Sequence, residues 1–210
     1  MTSGPTTFHR STRLILTDVS DSWAWIRTDL LVRILPFAVA FAIAFALMPH
    51  RAALGLSAGS LGLQLRFAAV AAPLMLGAAV WVQLRLTRRR GALSVPANPQ
   101  DAWFQTAFYV MNGPVEEAFF RGLAQGGLGL LWGAPAGFAV ATLAYVLYHR
   151  LGGWTWSDTF ATALVGVPLG LAFWLLPGPP SLLGVSLAHI AATCGFLGPG
   201  PYLLKRLNLV

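Results

Sequence analysis

Residues 30–51 read LLVRILPFAVAFAIAFALMPHR, and this stretch decides the fold class. Between positions 30 and 48 it holds one charged residue, Arg33, before Pro49, His50 and Arg51 end it. About 20 apolar residues in a helix are needed to cross roughly 30 Å of hydrocarbon. The stretch therefore predicts a transmembrane helix. Working outward, further spans are predicted at about 67–84, 102–131, 134–149, 160–176 and 182–197, six in all. Short turns marked by Gly133 and Pro135, and by residues 177–180, separate consecutive helices.

The whole chain supports this reading. Of 210 residues, 56% are hydrophobic and 10% charged, with a mean hydropathy of +0.66. A soluble domain carries about 25% charged residues. The formal charge of +7 is not spread as a nucleic-acid-binding face, because the basic residues collect at the ends of apolar stretches. Nucleic acid is thus excluded as the partner, and the lipid bilayer takes its place. Cys194 is the only cysteine, so there is no internal disulfide. The first 29 residues hold only a short apolar patch at 14–16, too little for a signal-peptide core, which makes the first long span the expected anchor.

Orientation follows from the basic residues. With six spans and the N-terminus inside, eleven of them face the cytoplasm, among them Arg10, Arg13, the 85–90 run, Lys205 and Arg206. Only Arg51 and Arg66 face outward. The expected location is an integral position in a bacterial-type inner (plasma) membrane with both termini cytoplasmic. The expected architecture is an all-α polytopic bundle of about six transmembrane helices with a four-helix catalytic core. Its parts are a cytoplasmic or interfacial segment at 1–29, two accessory helices and a basic loop at 30–100, the core at 101–200, and a cytoplasmic tail at 201–210. The third segment, taken as one helix over 102–131, would measure about 45 Å. It either projects into the cytoplasm or breaks at Gly113-Pro114.

Ionisable groups inside spans are costly and usually mark function. Here they are Glu116, Glu117, Arg121, His149 and His189. Glu117 and Arg121 lie one helical turn apart with the acid first, the favourable order for a pair. Glu116 is rotated about 100° away and lacks that partner. Desolvation disfavours the charged form of an unpaired carboxylate, which suits a general base working near neutral pH. If the third span rises from the cytoplasm and the fourth returns, Glu116 and His149 share a depth. His189 descends toward them from the sixth span. A carboxylate and two imidazoles around one point can activate a water and stabilise an oxyanion. The same set, Glu116, His149 and His189, has the ligand types and count of an open zinc site. The spacing leaves both open, with a metal-free site favoured.

Three features carry a family resemblance: Pro114-x-Glu116-Glu117-x-x-Phe120-Arg121-Gly122, the Tyr145 to His149 pair, and the His189 to Thr193 pair. Over about residues 100–200 the chain resembles the CAAX-protease and bacteriocin-processing (Abi, Rce-type) intramembrane proteases. The resemblance implies an endopeptidase acting on a membrane-embedded or membrane-anchored protein or peptide. It implies Glu116 as general base, His149 holding the water, and His189 with Thr193 lining the oxyanion side. Glu117, Arg121 and Tyr145 act as supports. Thr193 stands where Asn or Asp is usual, and Tyr145 where Phe is usual.

Two other readings of the same residues are a catalytically silent scaffold or chaperone and a small proton-coupled transporter. A transporter would be expected to show paired repeats with interrupted helices, which the two halves lack. His-Glu-x-x-His is absent, and Gly184-Val185-Ser186 is only a faint echo of a rhomboid serine motif, so Ser186 reads as packing.

Overall fold

The computed structural model describes residues 12–210, so Arg10 and the start of the 1–29 segment lie outside the described residues. The described chain is all-α apart from one small ribbon. Strand β1 (Arg13–Thr17) leads into α1 (Val19–Asp29), a π-helical turn (Leu30–Ile34) and α2 (Leu35–Leu47). A 3-10 turn (Arg51–Leu54) precedes α3 (Leu61–Arg90), and strand β2 (Ala92–Pro96) follows it. Next come α4 (Pro99–Glu117), a π-helical stretch (Ala118–Gly126), α5 (Gly127–Trp132) and α6 (Ala134–Tyr148). A 3-10 turn (His149–Gly152) leads to α7 (Trp156–Ala161), α8 (Ala163–Leu175), α9 (Leu183–Phe196) and α10 (Pro199–Arg206).

The α1–α2 rod begins at Asp18, whose side chain accepts from the backbone amides of Ser20 and Asp21. The Ser20 hydroxyl, then those amides, hold the Asp18 carboxyl below the usual range. The rod's π turn sits just before Pro36. A proline ring clashes with the carbonyl four residues back, and a wider turn absorbs the misfit. Helix α2 is apolar all round and buries none of its residues. Such a helix is unfavourable in water and suited to lipid.

Helices α3, α8 and α9 enclose the main core, built on Met75, Leu169, Phe173, Val185 and Ala188. Close approach there depends on small residues. A Cβ on Gly195 would lie 2.6 Å from the Leu76 carbonyl oxygen. Gly113 brings α4 equally near α9, with a Cβ there 2.8 Å from Ile190 Cγ1. Ser186 is buried, as a packing residue would be.

Among the described residues, three helical segments are long and apolar enough to span a membrane, Val19–Leu47, Leu61–Arg90 and Trp156–Leu175. A fourth is counted if the pair Leu183–Phe196 and Pro199–Arg206, bent by 44°, is one span. The expected six are not reached by this measure, for physical reasons. The α4–α5 segment carries Glu116, Glu117 and Arg121, and α6 has only 15 residues. The chain is nonetheless built as an integral membrane protein. Of the two expectations for the third segment, the continuous one is found. Helix runs unbroken from Pro99 through Trp132, with Pro114 inside it.

The ribbon was not expected. Strand β1 pairs parallel with β2, Arg13 opposite Ala92 and Thr17 opposite Pro96, so part of the expected basic loop before residue 100 is a strand. Behind it the Thr17 hydroxyl donates to Asp101 Oδ2 at 2.8 Å, and Gln105 Nε2 donates to Ser22 Oγ at 2.8 Å. These bonds tie the N-terminal strand and helix to the base of α4. The expected C-terminal tail at 201–210 is largely helix α10, whose Lys205 Nζ donates to the Ala97 carbonyl at 3.4 Å.

Candidate active site

The motif helix passes from α to π geometry directly after Glu117. The 51–54 turn presses on this stretch: a Cβ on Gly122 would lie 2.6 Å from the Leu54 carbonyl oxygen, and one on Gly126 2.1 Å from that of Ala53. Wide π turns often sit at functional sites, and this one begins where the charged residues are.

Glu117, Arg121 and His189 form the inner layer. Arg121 and Glu117 are fully buried, with Nε and Oε2 3.3 Å apart. Arg121 Nη2 donates to the Gly166 carbonyl at 3.0 Å, and its guanidinium lies 5.0 Å from the Tyr145 ring centre. Gly166 is required there, since a Cβ would fall 2.7 Å from Tyr145 Cδ1. The expected Glu117–Arg121 pair is therefore present. Glu117 also does something the sequence did not indicate, accepting from His189 Nδ1 at 2.7 Å. A carboxylate can only accept here, so the proton sits on Nδ1 and the ring is oriented with Nε2 toward Glu116.

Glu116 is the outer layer. Its Oε2 lies 3.5 Å from His189 Nε2 and has no hydrogen-bond partner among the described residues. Its Oε1 accepts from the Tyr148 hydroxyl at 2.6 Å and is paired with Arg33 Nη1. The expectation of an unpaired Glu116 thus needs correction. It has no cation on its own helix, but Arg33 reaches it from the α1–α2 rod, 83 positions earlier. Neither Arg33 nor Tyr148 was singled out as a site residue. Arg33 interrupting an otherwise apolar span was the signal available, whereas Tyr148, at a helix end, gave none.

His149 and Thr193 line the same cavity as Glu116 and His189, a space of about 1240 Å³ whose walls include Tyr148 and Trp154. His149 Nδ1 bonds the Tyr145 carbonyl at 2.7 Å, which leaves its Nε2 free. Its ring packs between Tyr148 and Trp154, with centroids 4.3 and 5.0 Å away. Tyr145 is buried between the two imidazoles, 4.9 Å from His149 and 5.8 Å from His189. So Glu116, Glu117, Arg121, Tyr145 and His189 form one connected cluster, His149 adjoins it through Tyr145, and Thr193 lines the same cavity. No group of three His, Cys, Asp or Glu side chains gathers as a metal site among the described residues. Of the Glu116 carboxylate, Oε1 is engaged by Arg33 and Tyr148, and Oε2 is the oxygen turned toward His189 Nε2.

Comparison with known families bears on the same residues. Positions 98–194 match the family model described as type II CAAX prenyl endopeptidase Rce1-like. This segment is similar to that family. The match runs from the start of α4 almost to the end of α9 and takes in Glu116, Glu117, Arg121, Tyr145, His149, His189 and Thr193. Arg33 lies outside it. The family supports a CAAX-type endopeptidase acting on membrane-associated substrates. No curated protein and no solved structure matched the chain.

Proposed function

We propose that the chain is an intramembrane endopeptidase in which Glu116 activates a water. The reading rests above all on Glu116 Oε2, a buried carboxylate oxygen without a partner, 3.5 Å from a His189 nitrogen. In this mechanism His149 Nε2 holds the water at the cavity wall. Glu116 takes one of its protons as the oxygen attacks the scissile carbonyl carbon. The oxyanion is met by His189 Nε2, with Thr193 Oγ1 as a second donor. Glu117 on His189 Nδ1 compensates the positive charge that donation from Nε2 requires. When the tetrahedral intermediate collapses, the C–N bond breaks and Glu116 returns its proton to the leaving amine. The substrate is a membrane-embedded or membrane-anchored polypeptide, and no step passes through a metal.

The test is the purified chain in liposomes with a membrane-anchored peptide, read by mass spectrometry. Two new fragments are expected, one with a new amino terminus. Thr193→Val keeps volume and removes the hydroxyl donor, so turnover should fall about 100- to 1000-fold. Thr193→Asn should retain or raise it. Parent-level turnover in Thr193→Val would reduce Thr193 to packing. Stoichiometric zinc in an active preparation, lost with His149→Ala, would replace the mechanism with a metalloprotease one.

The orientation reading, with both termini and the 85–100 loop cytoplasmic, is checked by a fusion after Val210. A reporter active only outside the cytoplasm should stay silent there. Signal from it would reverse the orientation.

A further inference from the structure

Arg33 comes from the α1–α2 rod, outside the matched 98–194 segment. An arginine inside a span is expensive unless it is partnered, and its partners here are specific. Its Nε donates to Asp29 Oδ1 at 2.8 Å, one turn back on the same rod, and its Nη2 pairs with Asp29 Oδ2. That two-pronged seat fixes the plane of the guanidinium. The remaining nitrogen, Nη1, then points at Glu116 Oε1 and the Tyr148 hydroxyl, the latter 2.9 Å away. One turn further along, Phe37 stacks on Phe119, with ring centroids 4.0 Å apart and planes within 6°. The rod is thus registered against the motif helix at two successive turns.

Both donors, Arg33 and Tyr148, bind the same oxygen of Glu116. A carboxylate held by one oxygen from two directions has little freedom to rotate, so its second oxygen is fixed as well. That second oxygen, Oε2, is the unpartnered one beside His189 Nε2. We infer that Arg33 is a positioning residue for the general base, holding Oε1 so that Oε2 alone receives the proton from water. An arginine acting instead as a plug would cover the oxygen that faces His189, and this one covers the other. The inference rests on Glu116 being the base. It adds that the matched segment alone is incomplete, because an accessory helix supplies the group that aims its carboxylate.

The test uses the full chain in liposomes with the cleavable membrane-anchored peptide. A misplacement of order 1 Å at a reacting group can cost about 100-fold. Arg33→Ala should therefore lower kcat by about that factor and change KM little. Arg33→Lys should fall between, since one ammonium cannot serve Asp29 and Glu116 together with fixed geometry. Added methylguanidinium should restore part of the turnover of Arg33→Ala and none of that of Glu116→Gln. Combining Arg33→Ala with Glu116→Gln should cost no more than Glu116→Gln alone. If Arg33→Ala does not fold, Arg33→Lys and Arg33→Gln carry the same comparison. Turnover in the Arg33 variants at or above the parent level would overturn the inference and favour a plug. Turnover that survives Glu116→Gln would defeat the reading of Glu116 itself, and this inference with it. Loss in Glu116→Gln without loss in Arg33→Ala would overturn the inference alone.

Discussion

Glu116→Gln should abolish measurable hydrolysis while the protein remains folded. Glutamine keeps the shape of the side chain and an oxygen to accept from Arg33 and Tyr148. Arg33 retains Asp29 as its counter-ion, so no buried charge is stranded. What is lost is the basic Oε2, replaced by an amide that cannot take a proton. General-base participation is worth about 100- to 10,000-fold, and the fall should lie at the upper end because the adjacent carboxylate is already engaged. Glu117, its neighbour, is committed to His189 and Arg121. The measurement is fragment yield per enzyme alongside the thermal unfolding midpoint in the same detergent. Parent-level turnover in the Gln variant would remove Glu116 from the mechanism.

Arg121→Ala should act on folding. The guanidinium is fully buried among Glu117, the Gly166 carbonyl and the Tyr145 ring. Removing it leaves Glu117 charged in the interior with only His189 beside it. Breaking a buried pair from one side typically costs about 3–5 kcal/mol, enough to lower folded yield sharply. Glu117→Ala strands Arg121 in turn and also frees the His189 ring, so it should lose turnover in whatever fraction still folds. The double change to alanine should recover part of the stability lost by either single one, because neither charge is then left alone. An Arg121→Ala protein that unfolds at the parent's midpoint would show that the pair does not hold the helices together.

Much of this molecule is legible in its residues, and the reasons differ between parts. Apolar runs reveal helices because hydropathy and helical length are both local properties. Glu117–Arg121 is legible for the same reason, being one turn of one helix. The two π-helical stretches at 30–34 and 118–126 are not, since a change from i→i+4 to i→i+5 bonding hardly alters a hydropathy pattern. Arg33–Glu116 is not legible as a pair because no spacing rule links positions 83 apart. Arg33 counted by composition as one more cytoplasmic-side base, and only the packed structure gives it a partner. The strands fail for a third reason. RLILT and ALSVP are five residues each, and their pairing depends on two helices bringing them side by side.

That pairing constrains how the chain is threaded through the bilayer. Backbone groups in an open two-stranded ribbon cannot face hydrocarbon, so β1 and β2 must sit together at one membrane surface. The polypeptide between Thr17 and Ala92 must therefore cross an even number of times, whatever the distribution of charge. Lys205 extends the same parity to the far end, because its bond to the Ala97 carbonyl anchors α10 at the surface where the ribbon lies. Chain between 97 and 205 must also make an even number of passes. An odd number of crossings in either half would require breaking a contact that ties the two ends of that half together.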